Sequence, residues 1–255
     1  MNINILSKAV IISLIIFFNC TFIQIFNATS NLSIISSIAY AKSAKDYAEL
    51  AEKFYWDGEY DKAIAEITKA IVINPLGKSS ILNLYKVTYF CDRAEFYKDI
   101  EKYQLAIKDY TKELQINSDP EAIEYAYSER AELYIELNDF QNAIKDYTKL
   151  IELGHDEYYG ERAEIYTNLK KYRPAIDDYT KYIKYLEKHV RIILTRPFPK
   201  YSSLAEAYAN RAEAYIELGE YQLAANDYKK ALWYYTNRNY FNSLKELKEQ
   251  YHVNL

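Results

Sequence analysis

The chain has 255 residues, half of them hydrophobic, and it carries only five glycines and five prolines against 29 tyrosines. Scarce turn residues and abundant apolar residues favour helices joined by short connections. The formal charge of −4 comes without a basic stripe, which argues against binding nucleic acid through phosphate neutralisation. The two cysteines, Cys20 and Cys91, imply no internal disulfide framework.

Residues 1–41 have the pattern of a signal peptide or of an N-terminal membrane anchor. Lys8 precedes two apolar stretches within 9–26, and Ala39 and Ala41 form a small-x-small cleavage site. We expect cleavage and export of the chain. The alternative is a retained anchor, because the apolar region nearly reaches the length of a spanning helix.

A lipid anchor at Cys20 is a further alternative, which Asn19 disfavours because a small residue normally precedes such a cysteine. Each of these N-terminal signals places the rest of the chain outside the cytoplasm. We therefore expect a periplasmic, cell-envelope or secreted protein, with membrane contact only through an uncleaved N-terminal segment.

A pair of alanines twelve residues apart recurs along the rest of the chain. The pairs are Ala51/Ala63, Ala94/Ala106, Ala131/Ala143, Ala163/Ala175 and Ala212/Ala224. Aromatic residues lie four before and three after the first alanine, as Tyr127 and Tyr134 do around Ala131. This spacing puts them on one stripe of a helix, and the second alanine heads an equivalent stripe. Each copy is therefore predicted to be two helices that approach closely through small residues.

The turn between the two helices carries a residue suited to a left-handed cap in three copies. Gly58, Asn138 and Gly219 occupy that place. Glu101 and Lys170 hold it in the other two copies. The sequence predicts that those two turns are built differently.

This combination of alanines, aromatics and turns resembles the tetratricopeptide repeat family, whose unit is a helix-turn-helix of about 34 residues. The predicted repeats cover residues 44–77, 87–120, 124–157, 156–189 and 205–237. Only Pro75 matches the family's helix-ending proline. The resemblance implies an all-α fold, an α-solenoid of about five repeats, that acts as a non-catalytic scaffold for a protein or peptide partner.

Two insertions and a C-terminal helix interrupt or extend the repeats. Residues 78–86 and 190–204 are insertions, and the predicted helices there run from Ser80 to Ile100 and from Arg173 to about Leu194. Residues 238–255 form one more amphipathic stripe, which we interpret as a capping helix that covers the apolar face of the last repeat. A helix that docks a partner is the alternative.

One face of each predicted first helix is rich in carboxylates at spacing i, i+3, i+7. The candidate partner-binding residues are Glu52, Trp56, Glu95, Asp99, Glu132, Glu136, Glu164 and Glu213. In the family this face lines a concave groove, which predicts an acidic groove for a basic peptide or helix. Small neighbours are expected to leave room for an inserted chain, and these are Ala48, Cys91, Ser128, Gly160 and Ala209. The alternative is a solvated acidic face whose small neighbours only permit close stacking of helices.

An arginine before the first alanine recurs in four copies, with an aspartate sixteen residues later. The pairs are Arg93/Asp109, Arg130/Asp146, Arg162/Asp178 and Arg211/Asp227. We interpret them as structural salt bridges that tie the two helices of a repeat together. The first copy has Leu50 in place of the arginine but keeps the acid Glu66.

No pattern in the sequence indicates catalysis, a cofactor or a metal site. His155, His189 and His252 lack metal-ligand spacing, and the glycines form no phosphate-binding loop. Two functions remain open. The first is a scaffold with an acidic groove, and the second is a cell-envelope assembly or tethering factor that docks through the 190–204 insertion and the C-terminal helix.

Overall fold

The protein is described here by a computed structural model that covers residues 42–78, 87–193, 202–235 and 238–253. The predicted signal or anchor segment therefore lies outside the described residues, as do most of the two insertions. The covered ranges hold eleven α-helices. They are α1 (Ala44–Trp56), α2 (Tyr60–Ile73), α3 (Tyr89–Asp99), α4 (Tyr103–Ile116), α5 (Pro120–Glu136), α6 (Phe140–Glu152), α7 (Tyr159–Asn168), α8 (Tyr172–Ile193), α9 (Ser202–Glu217), α10 (Tyr221–Tyr234) and α11 (Arg238–Tyr251).

The helices pack as five successive pairs, α1 with α2, α3 with α4, α5 with α6, α7 with α8 and α9 with α10. The second helix of each pair also packs on the first helix of the next pair, and α10 packs on α11. Each pair thus packs mainly on its neighbours along the chain, as in a solenoid. The predicted all-α solenoid of helix-turn-helix repeats is confirmed.

The two recurrent alanines of every helix pair belong to the same buried core cluster. All ten of them are fully buried, with 0% of their surface exposed. Large rings such as Phe96 and Tyr110 fill the space beside them and are also fully buried. A larger side chain in an alanine position would push the two helices apart, because packed interiors have no spare volume.

The turn within a repeat has the same backbone in all five copies. Gly58 and Gly219 have φ of 75° and 74°, and Glu101 and Lys170 adopt the same left-handed region with φ of 57°. The prediction that the turns with Glu101 and Lys170 are built differently is wrong. The reason is a closing hydrogen bond, such as that from Lys102 N to Tyr97 O at 2.8 Å, which recurs in every copy and offsets the cost of a positive φ.

The predicted long helix over Ser80–Ile100 is also wrong at its start, because α3 begins at Tyr89. Thr88 is the N-cap, and its hydroxyl accepts from Phe90 N at 3.3 Å. Tyr89 N donates to Gly77 O at 3.2 Å, so the chain returns to the end of the first repeat before the helix starts. The other long helix, α8, begins one residue before the predicted start and extends to Ile193.

The C-terminal helix α11 covers the last repeat. Leu247 is buried in the same core as α9 and α10, and the Tyr251 ring stacks on Tyr221 with centroids 3.7 Å apart. This helix therefore caps the apolar face that a terminal repeat would otherwise expose. In the portion of the chain that the structure covers, no helix is both long and apolar enough to span a membrane.

Candidate partner-binding surface

The four predicted arginine–aspartate pairs form in the structure with nearly identical geometry. Arg130 donates from Nε and Nη2 to the two oxygens of Asp146 at 2.8 and 2.7 Å. The corresponding distances in the other pairs are 2.7 and 2.8 Å for Arg93/Asp109, 2.7 and 2.9 Å for Arg162/Asp178, and 2.7 and 2.8 Å for Arg211/Asp227. Such two-point pairs fix orientation as well as charge.

The aspartates of these pairs are buried, a depth that their spacing in the sequence did not reveal. The exposed fractions are 4% for Asp109, 4% for Asp146, 3% for Asp178 and 4% for Asp227. Aspartate is almost never buried without a partner, and here the arginine supplies both the counter-charge and two donors. Asp109, Asp146, Asp178 and Asp227 therefore lie inside the array, out of reach of a binding partner, and are not exposed surface salt bridges.

Each of the four arginines also reaches a third helix. Nη1 of Arg130 donates to the Thr111 hydroxyl at 2.8 Å, and that hydroxyl donates to the Ile107 carbonyl at 2.7 Å. The equivalent contacts join Arg93 to Thr68, Arg162 to Thr148 and Arg211 to Thr180. Sequence reasoning missed these threonines, although each lies five residues after the second alanine. In the fifth repeat, which α11 follows instead of another helix pair, this position is Lys229.

Aromatic rings close over the arginine from both sides. The Arg130 guanidinium carbon lies 5.5 Å from the centre of the Tyr127 ring and 5.9 Å from that of Tyr134. Burial lowers the pKa of Arg130, but the hydrogen bonds and charge of Asp146 outweigh it and leave the pKa above its ordinary value. With its donors engaged and its faces covered, this arginine is part of the framework and is not available to a partner.

Glu95 is the main correction among the candidate partner-binding residues. Its surface is only 8% exposed, and it accepts hydrogen bonds from the hydroxyls of Tyr110 and Tyr125, the second at 2.7 Å. The Lys98 ammonium lies 2.8 Å from the other carboxylate oxygen. Glu95 therefore holds α3, α4 and α5 together and does not face a partner.

The remaining candidates differ in exposure. Glu52 is half-buried, whereas Glu132, Glu136, Glu164 and Glu213 are exposed. Asp99 is exposed and accepts from the Tyr55 hydroxyl at 2.7 Å, and Trp56 is 70% exposed. The surface that a partner can reach therefore lies mainly on the third to fifth repeats.

The small residues beside this face do not leave room for an inserted chain. Ala48, Cys91, Gly160 and Ala209 are buried, and Ser128 is half-buried. A Cβ at Gly160 would lie 2.9 Å from the Tyr182 ring, so that ring occupies the space that the missing side chain leaves. The expectation of an open floor is wrong, because neighbouring helices pack onto these residues.

The exposed carboxylates of the third to fifth repeats influence one another. Glu132, Glu161, Glu164, Glu206 and Glu213 are here called the acidic surface. Desolvation raises the pKa of Glu161, and the charges of Glu164, Glu157 and Glu132 raise it further, whereas a backbone hydrogen bond lowers it. Desolvation and then Glu206 raise the pKa of Glu164, and desolvation raises that of Glu213. The ionised form is thus held at a cost that a nearby cation would reduce.

Tyrosine rings line the same surface. Desolvation and then the charges of Glu161, Tyr185, Glu164 and Glu206 raise the pKa of Tyr182 to about 12. Desolvation and the charges of Glu206 and Glu213 also raise the pKa of Tyr240. Rings beside carboxylates are the setting in which lysine and arginine side chains bind through both charge and cation–π attraction.

Lys98 shows how a cation is held between first helices. Its ammonium bridges Glu95 at 2.8 Å and Glu129 at 2.6 Å. Glu95 lies one residue after the first alanine of its repeat, and Glu129 lies two residues before the first alanine of the next repeat. Glu132 and Glu161 occupy the same two positions one repeat later, but Ile135 stands where Lys98 would be. Among the side chains that the structure describes, Glu132 and Glu161 form no ion pair.

A family model described as tetratricopeptide repeat matches residues 124–153, 156–189 and 205–232. These matches coincide with the third, fourth and fifth helix pairs. The third, fourth and fifth helix pairs are therefore tetratricopeptide repeats, and the first two pairs share their helix-turn-helix fold. No curated protein sequence matched it.

Solved structures share the arrangement of repeats. A structure of MamA protein superposes with a TM-score of 0.55 and 19% identity, covering 83% of this chain and 97% of that one. The structure of YrrB, "a TPR protein with an unusual peptide-binding site", superposes with a TM-score of 0.55 and 14% identity, covering 80% of this chain and 92% of that one. The structure of BtubC from P. vanneervenii superposes with a TM-score of 0.55 and 16% identity, covering 75% of this chain and 81% of that one. At these identities the likeness concerns the tetratricopeptide fold.

Proposed function

We propose that this tetratricopeptide-repeat protein is a non-catalytic interaction scaffold whose acidic surface binds a basic segment of a partner protein. Repeats of this kind present a long surface built from equivalent positions, which suits an extended or helical partner better than a small substrate. The observation that carries the proposal is the bridging of Glu95 and Glu129 by Lys98.

The protein supplies its own cation to one pair of carboxylates and leaves the equivalent pair without one. At the boundary of the second and third repeats Lys98 neutralises Glu95 and Glu129. At the next boundary Ile135 replaces the lysine, and the charge of Glu132 helps to raise the pKa of Glu161. A lysine or arginine from a partner would complete this second site in the geometry that Lys98 has in the first.

Further features of the surface fit a basic partner. Glu164, Glu206 and Glu213 extend the negative charge from α7 through α9, with the Tyr182 and Tyr240 rings between them. A formal charge of −4 adds a long-range attraction for a positive chain. The peptide-binding site named for YrrB, which has the same fold, supports a peptide segment as the form of the partner.

We also propose that the repeats act outside the cytoplasm, in the periplasm, the cell envelope or the medium. Support comes from the sequence pattern of residues 1–41, with Lys8 before the apolar stretches and Ala39 and Ala41 at a cleavage position. N-terminal sequencing of the protein from fractionated cells tests this proposal. An intact N-terminus in the cytoplasmic fraction would contradict it.

The binding proposal is tested with a fluorescent lysine-rich peptide and the purified chain, by anisotropy at several salt concentrations. The double variant Glu132→Gln/Glu161→Gln removes both charges and keeps the side-chain shape. We expect a loss of affinity of about tenfold or more, since a hydrogen bond to a charged group contributes about 1.5–3 kcal/mol. The affinity should also fall as salt rises.

Glu152→Gln is the matched control, because Glu152 is exposed on α6 and pairs with the exposed Lys149 at 2.7 Å. It should bind the peptide as the unmodified chain does. If the double variant also binds normally, while removal of α11 abolishes binding, docking through the C-terminal helix replaces the acidic surface as the explanation.

A further inference from the structure

Three side chains from separate parts of the fold meet beside the junction of the third and fourth repeats. Nδ1 of His155 and one carboxylate oxygen each of Glu124 and Glu157 all lie within 4.8 Å of one another. Glu124 is on α5, His155 is in the turn after α6, and Glu157 is in the short 3₁₀ helix Asp156–Tyr158. Sequence reasoning did not detect this group because Glu124 lies far from the other two along the chain.

The backbone holds the histidine in place. Gly154 has a φ of 100°, which turns the chain sharply after α6. His155 N donates to the Leu150 carbonyl at 3.1 Å, and its own carbonyl accepts from Tyr158 N at 3.3 Å. The imidazole therefore projects toward Glu124 from a turn that is fixed on both sides.

The two distances from the imidazole match a metal site better than a hydrogen-bonded ion pair. Nδ1 of His155 lies 3.4 Å from the Glu124 oxygen and 3.6 Å from the Glu157 oxygen. A charge-assisted hydrogen bond would be about 2.7–2.9 Å long. Ligands at about 2.0–2.2 Å from a tetrahedral zinc ion are separated by about 3.3–3.6 Å, and both observed distances lie in that range.

The surroundings support coordination. The Tyr158 hydroxyl lies 3.4 Å from the same Glu124 oxygen, and the Tyr158 ring stacks on Tyr147 with centroids 5.7 Å apart. A cavity of about 320 Å³ adjoins the group and is lined by Glu121, Glu124 and Ser128 among others. The cavity gives space for water, or for the Glu121 carboxylate, as a further ligand.

We propose that Glu124, His155 and Glu157 bind a divalent transition-metal ion, with Zn²⁺ the best match. One imidazole nitrogen and two carboxylate oxygens are ordinary zinc ligands, whereas Mg²⁺ and Ca²⁺ prefer oxygen ligands alone. The side chains of His155, Glu124 and Glu157 are 27%, 31% and 40% exposed, so the ion can enter from solvent. A bound ion would link α5 to the start of the fourth repeat and tighten that junction.

The proposal is tested on the purified chain after removal of metals with a chelator. Calorimetric titration with ZnCl₂ should give one strong site, and MgCl₂ should give none. Zn²⁺ should raise the melting temperature, because a ligand that binds only the folded state stabilises it. Co²⁺ should give the intense visible absorption of a tetrahedral complex.

Glu124→Gln and His155→Gln should each weaken Zn²⁺ binding by about tenfold or more, since even changes outside the ligand shell cost 10–100-fold. His189→Gln is the matched control, because His189 is exposed on α8, away from this group, where its ring contacts the Tyr185 ring and carbonyl. Circular dichroism checks that each variant is folded. Absence of a strong Zn²⁺ site, or equal affinity in all three variants and the unmodified chain, would show that the group is only an ion pair.

Discussion

Nη1 of Arg130 donates to the hydroxyl of Thr111 at 2.8 Å, across the boundary between two successive repeats. The same guanidinium binds Asp146 in its own repeat. One side chain thereby connects three helices, α4, α5 and α6. Because the contact recurs at each boundary from the first repeat to the fifth, it sets the spacing of the whole array.

Thr111→Val tests the contact between repeats. Valine keeps the shape but removes the acceptor, so a half-buried guanidinium donor loses its partner at a cost of about 1–3 kcal/mol. We expect a lower urea midpoint. Thr111→Ser keeps the hydroxyl and should retain most of the stability. Full stability of the valine variant together with a loss in the serine variant would show that packing of the methyl group matters and the hydroxyl does not.

Asp146→Asn tests the pair within a repeat. The Arg130 and Asp146 side chains are 13% and 6% exposed, so removing the negative charge leaves a largely buried cation without its counter-charge. We expect a loss of about 3 kcal/mol or more in the free energy of unfolding. Glu152→Gln breaks an exposed pair and should have no measurable effect in the same denaturation experiment.

Gly160→Ala sets two effects against each other. Alanine favours a helix over glycine by about 0.5–1 kcal/mol, but its Cβ would lie 2.9 Å from the Tyr182 ring in the present packing. We expect the clash to prevail and the melting temperature to fall. Gly160→Ala combined with Tyr182→Leu should recover part of the loss. A stabilised single variant would mean that the ring moves aside freely.

The raised pKa of Glu161 predicts a particular dependence of stability on pH. The folded state binds a proton at a higher pH than the unfolded state does, so ionisation of Glu161 costs stability above its folded pKa. That cost disappears as the pH falls from above the folded pKa to the ordinary value of 4.5. Glu161→Gln should therefore melt higher than the unmodified chain at neutral pH, and the difference should vanish near pH 4.5. A difference independent of pH would contradict this assignment.

Ile135→Lys would copy the second-repeat arrangement into the third. The new ammonium would lie between Glu132 and Glu161 as Lys98 lies between Glu95 and Glu129. We expect it to weaken binding of the lysine-rich peptide as strongly as removal of both charges does. Ile135→Met, which is long but neutral, should leave peptide binding intact. Similar affinities for the lysine and methionine variants would place the peptide elsewhere.

The parts of the fold that depend on periodic spacing could be predicted from the sequence. The alanine pairs indicated the helix pairs, because a residue at a fixed interval always returns to the same stripe of a helix. Features that depend on several helices at once could not be predicted. The burial of Glu95 results from Lys98, Tyr110 and Tyr125, which belong to three helices, and no spacing within one repeat reveals it.

The burial of the paired aspartates also could not be predicted, because it too depends on several helices at once. The sixteen-residue interval predicted which arginine meets Asp109, Asp178 or Asp227, but it carried no information on depth. These carboxylates are buried because the arginine, its two flanking rings and the preceding repeat together cover them. That cover requires the packed array, which a pattern within one repeat does not describe.

Local chemistry misled the sequence analysis in one further place. Glu101 and Lys170 are poor left-handed residues in isolation, yet the closing hydrogen bond of the turn imposes that conformation on them. Conversely, the threonines that accept hydrogen bonds from the arginines recur at the same position of four repeats and could be found in the sequence. Their meaning depended on a partner in the following repeat.

The link between Thr111 and Arg130 is directional, since each of the three inner repeats contributes a threonine hydroxyl to the next repeat and an arginine to the preceding one. The first repeat has Leu50 in place of the backward arginine, and the last has Lys229 in place of the forward hydroxyl. Two copies of the protein placed head to tail would therefore lack both halves of the joint. The contact that joins neighbouring repeats thus has no counterpart at Leu50 in the first repeat or at Lys229 in the fifth.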